Sequence, residues 1–148
     1  MEAAMVRLAM PPNATEVTWP EVANHLELEP VWAKTQPDAC WWTGRGASRS
    51  LTVVEVYARV TKLLPGNRSK VCKDVLKLAS IREAIWERRA SLEVNLLVVV
   101  PRQLEAELHP SRGSWMNSAI HQMVQVTPVD LSGSQVDQLL ERQLLQRR

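Results

Sequence analysis

The chain has 148 residues, 45% hydrophobic and 23% charged, which fits one globular domain that can bury a core without a metal or disulfide staple. The net charge is only +2, no apolar run approaches the roughly 20 residues of a membrane span, and Cys40 and Cys72 are too few and too far apart for a zinc site. His25, His109 and His121 show no ligand spacing, so two free thiols in a reducing, cytoplasmic setting are expected, with no metal and no cofactor.

Residues 1–14 read as a flexible N-terminal segment ended by Pro11 and Pro12, and residues 15–148 as a single α+β domain. Thr18 stands three residues before Glu21, the reciprocal capping spacing, with Pro20 in the first turn, so a short helix carrying Trp19, Val22 and Leu26 is predicted. Residues 29–50 hold Pro30, Pro37, Gly44 and Gly46 and read as a long loop containing Trp32, Trp41 and Trp42. From Leu51 to Thr61 the residues alternate, Val54, Val56, Ala58 and Val60 against Glu55, Tyr57, Arg59 and Thr61, the pattern of a half-buried strand.

Pro65, Gly66 and Asn67 make a turn, and a long helix with the stripe Val71, Val75, Leu78, Ile81 and Ile85 is predicted to run to about Arg89. Leu92 to Val100 is the most apolar strand, stopped by Pro101. Leu104, Ala106 and Leu108 then alternate with Glu105, Glu107 and His109, as in the returning arm of a hairpin. Gly113 and Ser114 lead into a helix with Met116, Ile120 and Met123 on one side, and a linker with Pro128 and Gly133 precedes a last helix striped by Val136, Leu140 and Leu144. The expected fold is α+β: a small, mainly antiparallel sheet of about three strands packed against helices, in the order α-loop-β-α-β-β-α-α.

No nucleophile motif, phosphate-binding glycine loop or metal-spaced histidine pair occurs, and Glu105 and Glu107 read as solvated edge carboxylates, so a non-enzymatic protein is expected. Six tryptophans, one tyrosine and no phenylalanine make an unusual aromatic set. Trp86 and Trp115 fall on predicted helices and read as core, whereas Trp19, Trp41 and Trp42 lie near turns, where an indole either seals a core edge or stacks on a ligand. Arg45, Arg49, Arg59, Lys62, Arg68, Lys70 and Lys73 form a basic zone suited to phosphates or acidic surfaces. Met116, Ile120 and Met123 are candidates for a self-complementary dimer contact.

From Trp19 onward the chain resembles the nineteen-kilodalton silencing suppressors of tombusviruses and their aureusvirus relatives. The segments that carry the resemblance are Thr18-Trp19-Pro20-Glu21, Val53 to Arg59, Val71 to Leu76, the paired runs Leu92–Val100 and Leu104–Leu108, and Pro110 to Ser114. The resemblance implies a viral suppressor of RNA silencing, a homodimer that sequesters double-stranded RNA. Arg45, Arg49, Arg59, Lys62 and Arg112 would contact phosphates and Trp19 would stack on a duplex end; where the chain has Val22, either Trp41 or Trp42 would stand in for a second end cap, or longer RNA would be bound without measuring its length. The alternative is an intracellular interaction adaptor of the viral accessory type, with the Trp-rich loop as its patch for a host protein.

Overall fold

In the computed structural model, which describes residues 1–112 and 114–146, the chain runs α1 (Glu2–Ala9), β1 (Ala14–Val17), α2 (Trp19–His25), α3 (Pro30–Lys34), β2 (Ala39–Thr43), β3 (Ser50–Val56), α4 (Pro65–Arg88), β4 (Glu93–Pro101), α5 (Arg102–Glu105), α6 (Trp115–Met123), β5 (Gln125–Val129) and α7 (Gly133–Gln146). Single 3-10 turns cover Gly46–Ser48, Ala106–Leu108 and Pro110–Arg112. Gly113, expected just ahead of α6, lies outside the described residues.

The sheet corrects the expected architecture. It has five strands in the order β1-β2-β3-β4-β5: β1/β2 and β2/β3 are antiparallel, while β3/β4 and β4/β5 are parallel. Parallel neighbours need a crossover rather than a tight hairpin. α4 supplies the first, and the segment α5 to α6 supplies the second.

The hairpin arm expected at Leu104–Leu108 is therefore absent, and those residues are helical. Leu104 and Leu108 are four apart, so one helical face buries both completely, and a period of two over five residues does not separate that from a strand. β5 fills the expected linker; it is an edge strand, where Pro128 removes no ladder bond that the sheet needs. β2 lies inside the expected long loop, and β1 straddles the end of the segment expected to be loose.

β3 is not half-buried. Every residue from Leu51 to Tyr57 is buried, because helices cover both faces of the sheet. Trp19 and Val22 of α2, Leu26 at its C-terminal cap, the stripe of α4 and Ile120 of α6 close one face over Leu51, Val53, Leu96 and Val98. Met5 and Val6 of α1 close the other over Trp41, Val54, Val56, Leu97 and Val99. The first residues are thus a packed helix rather than a loose tail, since without them two apolar rows would face water.

The stripe of α7 is shifted by one position from the expected one: Leu139 and Gln143 are buried, while Leu144 is exposed. The Gln143 amide explains the shift. Its carbonyl accepts from the Val60 N–H at 2.9 Å and its NH2 donates to the Thr61 hydroxyl, satisfying the loop that leaves β3.

Candidate functional site

A charged group sits where the fold is most apolar. Glu55 occupies the run Val53-Val54-Glu55-Val56 of the central strand and is 5% exposed. The register Ala39↔Val54 brings the residue just before β2, Asp38, alongside the end of β3, and Asp38 Oδ2 accepts the Val56 N–H at 2.8 Å. From α4, Lys77 forms an ion pair with Glu55 and donates to the Gln36 carbonyl at 3.0 Å.

Burial, and next the hydrogen bond from the Asp38 side, push the Glu55 carboxyl up to about 8; Lys77 opposes the rise without cancelling it. Asp74, one turn before Lys77 on α4, is also raised by burial, with Lys77 and Lys70 lowering it and Asp38 raising it. A strongly perturbed carboxyl with a specific charged neighbour is a feature that working sites share with structural ion-pair networks. As cation ligands, Asp38 and Glu55 offer two oxygen donors, and among the described residues no group of three or more His, Cys, Asp or Glu is arranged to hold a metal ion.

Sequence reasoning missed these three residues. The signal was a carboxylate inside a β-branched apolar run, Glu55, which the period-two reading assigned to a solvated face.

The residues singled out for RNA separate into three places. Trp42 and Arg49 come together. The Arg49 guanidinium lies 3.8 Å from the Trp42 ring centroid and donates to His25 Nε2 at 2.8 Å, and His25 meets Trp42 edge-on with centroids 6.3 Å apart. With Arg89 and Gly46 they line a cavity of about 280 Å³. Arg45 is exposed on the same β2–β3 connection, whose reversal uses a left-handed Gly44 at φ 87°.

Arg59 and Lys62 lie past the opposite end of β3, a separation on the order of 20 Å along the strand. Arg112 is exposed in the 3-10 turn ahead of α6, and Lys62 is exposed as well.

Trp19 and Trp41 are not available for stacking. Trp19 is buried in the α2–α4 core with its indole N–H donated to the Trp32 carbonyl at 2.9 Å, and Trp41 is 2% exposed beneath α1. Trp115, expected in the core, is 76% exposed; Trp86 is half-buried and donates to the Leu92 carbonyl at 2.9 Å. Of the dimer candidates, Ile120 is 1% exposed within the core, and Met116 and Met123 are half-buried beside it. Glu105 and Glu107, expected as edge carboxylates of a strand, are off the sheet.

Cys40 and Cys72 are free. Burial, followed by Glu16 and Glu21, pushes the Cys40 thiol up to about 12, which makes it a poor nucleophile. Among the described residues no helix is long and apolar enough to cross a membrane.

Comparison with protein-family models, curated proteins and solved structures finds no match.

Proposed function

We propose that this chain hydrolyses nucleic-acid phosphodiester bonds with the help of a divalent cation, using Asp38, Glu55 and Lys77. The observation that supports this is the grouping of Glu55, Asp38 and Lys77, set by the β2–β3 register and by α4. The Glu55 carboxyl, buried beside the exposed Asp38, keeps a proton that a free carboxylate would not. A divalent cation can take that proton's place, and its binding then releases the proton. A magnesium-type cation needs only one or two carboxylates, with water and substrate phosphate completing its shell. When bound, such a cation supplies Lewis acidity to a phosphoryl oxygen and lowers the pKa of a bound water.

The protein's own groups do the positioning. The Val56 N–H fixes the Asp38 carboxylate, and the Gln36 carbonyl holds the Lys77 ammonium beside Glu55. In the reaction a water oxygen forms a new bond to phosphorus, one ester P–O bond breaks, and the leaving oxygen departs as a protonated alcohol. Lys77 offsets charge that develops on the phosphoryl oxygens. Polyanionic substrate is favoured by the cations at both ends of β3: Arg45, Arg49 and Arg89 on one side, Arg59, Lys62 and Lys70 on the other. This reading departs from the non-enzymatic expectation, which rested on missing nucleophile motifs; a cation-activated water requires none.

The test is cleavage of end-labelled single- and double-stranded DNA and RNA with magnesium or manganese. Wild type should cleave at least one of the four, and Asp38→Asn and Glu55→Gln should each slow it by at least about a hundredfold. Intact substrates throughout, or wild-type rates in Asp38→Asn, would sink the reading.

A second reading is retention of duplex RNA without cleavage, and it draws on the Arg49–Trp42 stack. Its homodimeric suppressor form called for Trp19 at a duplex end and Ile120 at a dimer contact, and both are buried. The adaptor alternative called for a Trp-rich loop patch, yet Trp41 is buried and Trp32 and Trp42 are half-buried. A salt-sensitive shift of duplex RNA in a chelator, with no cleavage under any cation, would favour retention.

A further inference from the structure

We infer that the cavity of about 140 Å³ between the end of β3, the first turns of α4 and the end of α7 binds a phosphate group. Tyr57, Arg59, Lys70 and Arg142 line it, with Glu2 as the acidic residue among its walls.

Two buried donors there lack partners. Tyr57 is 8% exposed, and its buried hydroxyl, which has the Arg59 guanidinium as a neighbour, makes no hydrogen bond of ordinary geometry among the described residues. The Arg59 Nε is buried and unpartnered in the same sense. Buried polar groups in folded proteins are nearly always satisfied, so two residues with unpaired donors in the walls of one cavity favour an acceptor from outside, which a small shift of either side chain would let them meet. Lys70 and Arg142 add two donors that cannot accept, from two other elements. Three cations against Glu2 select an anion, and the positive end of the 24-residue α4 lies beside them.

At about 30 Å³ per water, the space holds a few waters or one phosphate-sized group. Burial raises the Tyr57 hydroxyl, Arg59 opposes the rise and Asp74 adds to it, so at neutral pH Tyr57 is a donor. Lys70 and Lys77 lie seven residues apart on α4, about 10 Å along the helix, which places the pocket next to the Asp38–Glu55 pair. The pocket does not depend on that pair being catalytic.

The shared chemistry is a phosphate oxyanion, free or at a polynucleotide terminus, and calorimetric titration without divalent cation separates the two. The full chain is titrated with inorganic phosphate, and with one oligonucleotide in 5′-phosphorylated and 5′-hydroxyl forms. Binding of inorganic phosphate supports a free-anion pocket; a preference for the 5′-phosphorylated strand over its 5′-hydroxyl twin supports a terminal-phosphate pocket. In either case Tyr57→Phe, which keeps the ring, and Arg59→Gln should each weaken binding about tenfold. Tyr57 is the only tyrosine, so bound phosphate should also move the alkaline tyrosinate absorbance titration upward in wild type. The proposal is overturned if neither inorganic phosphate nor the phosphorylated strand binds at low ionic strength, or if both variants bind like wild type.

Discussion

Glu55 of β3 and Lys77 of α4 form an ion pair that joins the central strand to the longest helix. The pair is asymmetric, because Lys77 reaches partly into solvent while the carboxylate end is closed over and shares its surroundings with Asp38. Burial, and next the hydrogen bond from the Asp38 side, raise the Glu55 carboxyl despite its partner.

That rise gives stability a defined pH dependence. Folding raises the Glu55 carboxyl from its ordinary 4.5 to about 8, so between these values the folded state holds a proton that the unfolded state has lost. Stability from this group is complete below about 4.5 and is lost as pH rises through about 8. Melting temperature should therefore fall across this window, by the equivalent of a few kcal/mol. Glu55→Gln should flatten the curve, and an unchanged slope in that variant would contradict the burial of the carboxyl.

Among the tryptophans, Trp41→Ala should be severe and Trp115→Ala mild, the reverse of what their places in the sequence suggest. Trp41 is 2% exposed between the sheet and α1, and Trp115 is 76% exposed. Denaturant unfolding should show a loss of about 3–5 kcal/mol for Trp41→Ala and less than about 0.5 kcal/mol for Trp115→Ala.

Ile120→Asp should unfold the protein rather than yield folded monomers. The side chain is 1% exposed in the cluster that closes over α4 and β4, and a carboxylate placed there would be buried among apolar side chains. The cost should reach about 4 kcal/mol or more. Circular dichroism and sedimentation together check this, since a folded, soluble variant would mean that α6 does not pack as described.

For nucleic-acid binding, the two ends of β3 should act independently. Each lost phosphate contact reduces the salt slope by about 0.9. Arg45→Ala with Arg49→Ala should lower it by about two, and Arg59→Ala by about one more, additively for sites about 20 Å apart. Titrations at several salt concentrations measure the slopes; a triple variant with the wild-type slope would place the phosphates elsewhere.

Elements with a long, strong period were legible from the residues alone. The stripe Val71, Val75, Leu78, Ile81 and Ile85 marked α4, the Thr18–Glu21 spacing marked α2, whose Thr18 hydroxyl accepts the Glu21 N–H at 3.4 Å, and the apolar runs marked β3 and β4. Short segments were not legible. Leu104–Leu108 satisfied a strand pattern and a helix pattern equally, and Trp41-Trp42 and Val126-Thr127, though β-favouring residue types, stood in runs too short to read as strands without a neighbouring ladder. The candidate site shows the same limit most sharply. Local chemistry settled that Glu55 and Asp38 carry carboxyls and Lys77 an amine; the β2–β3 register and the crossover of α4 brought the three together, because only contacts between residues distant in the chain could take Glu55 out of water and set its charge against theirs.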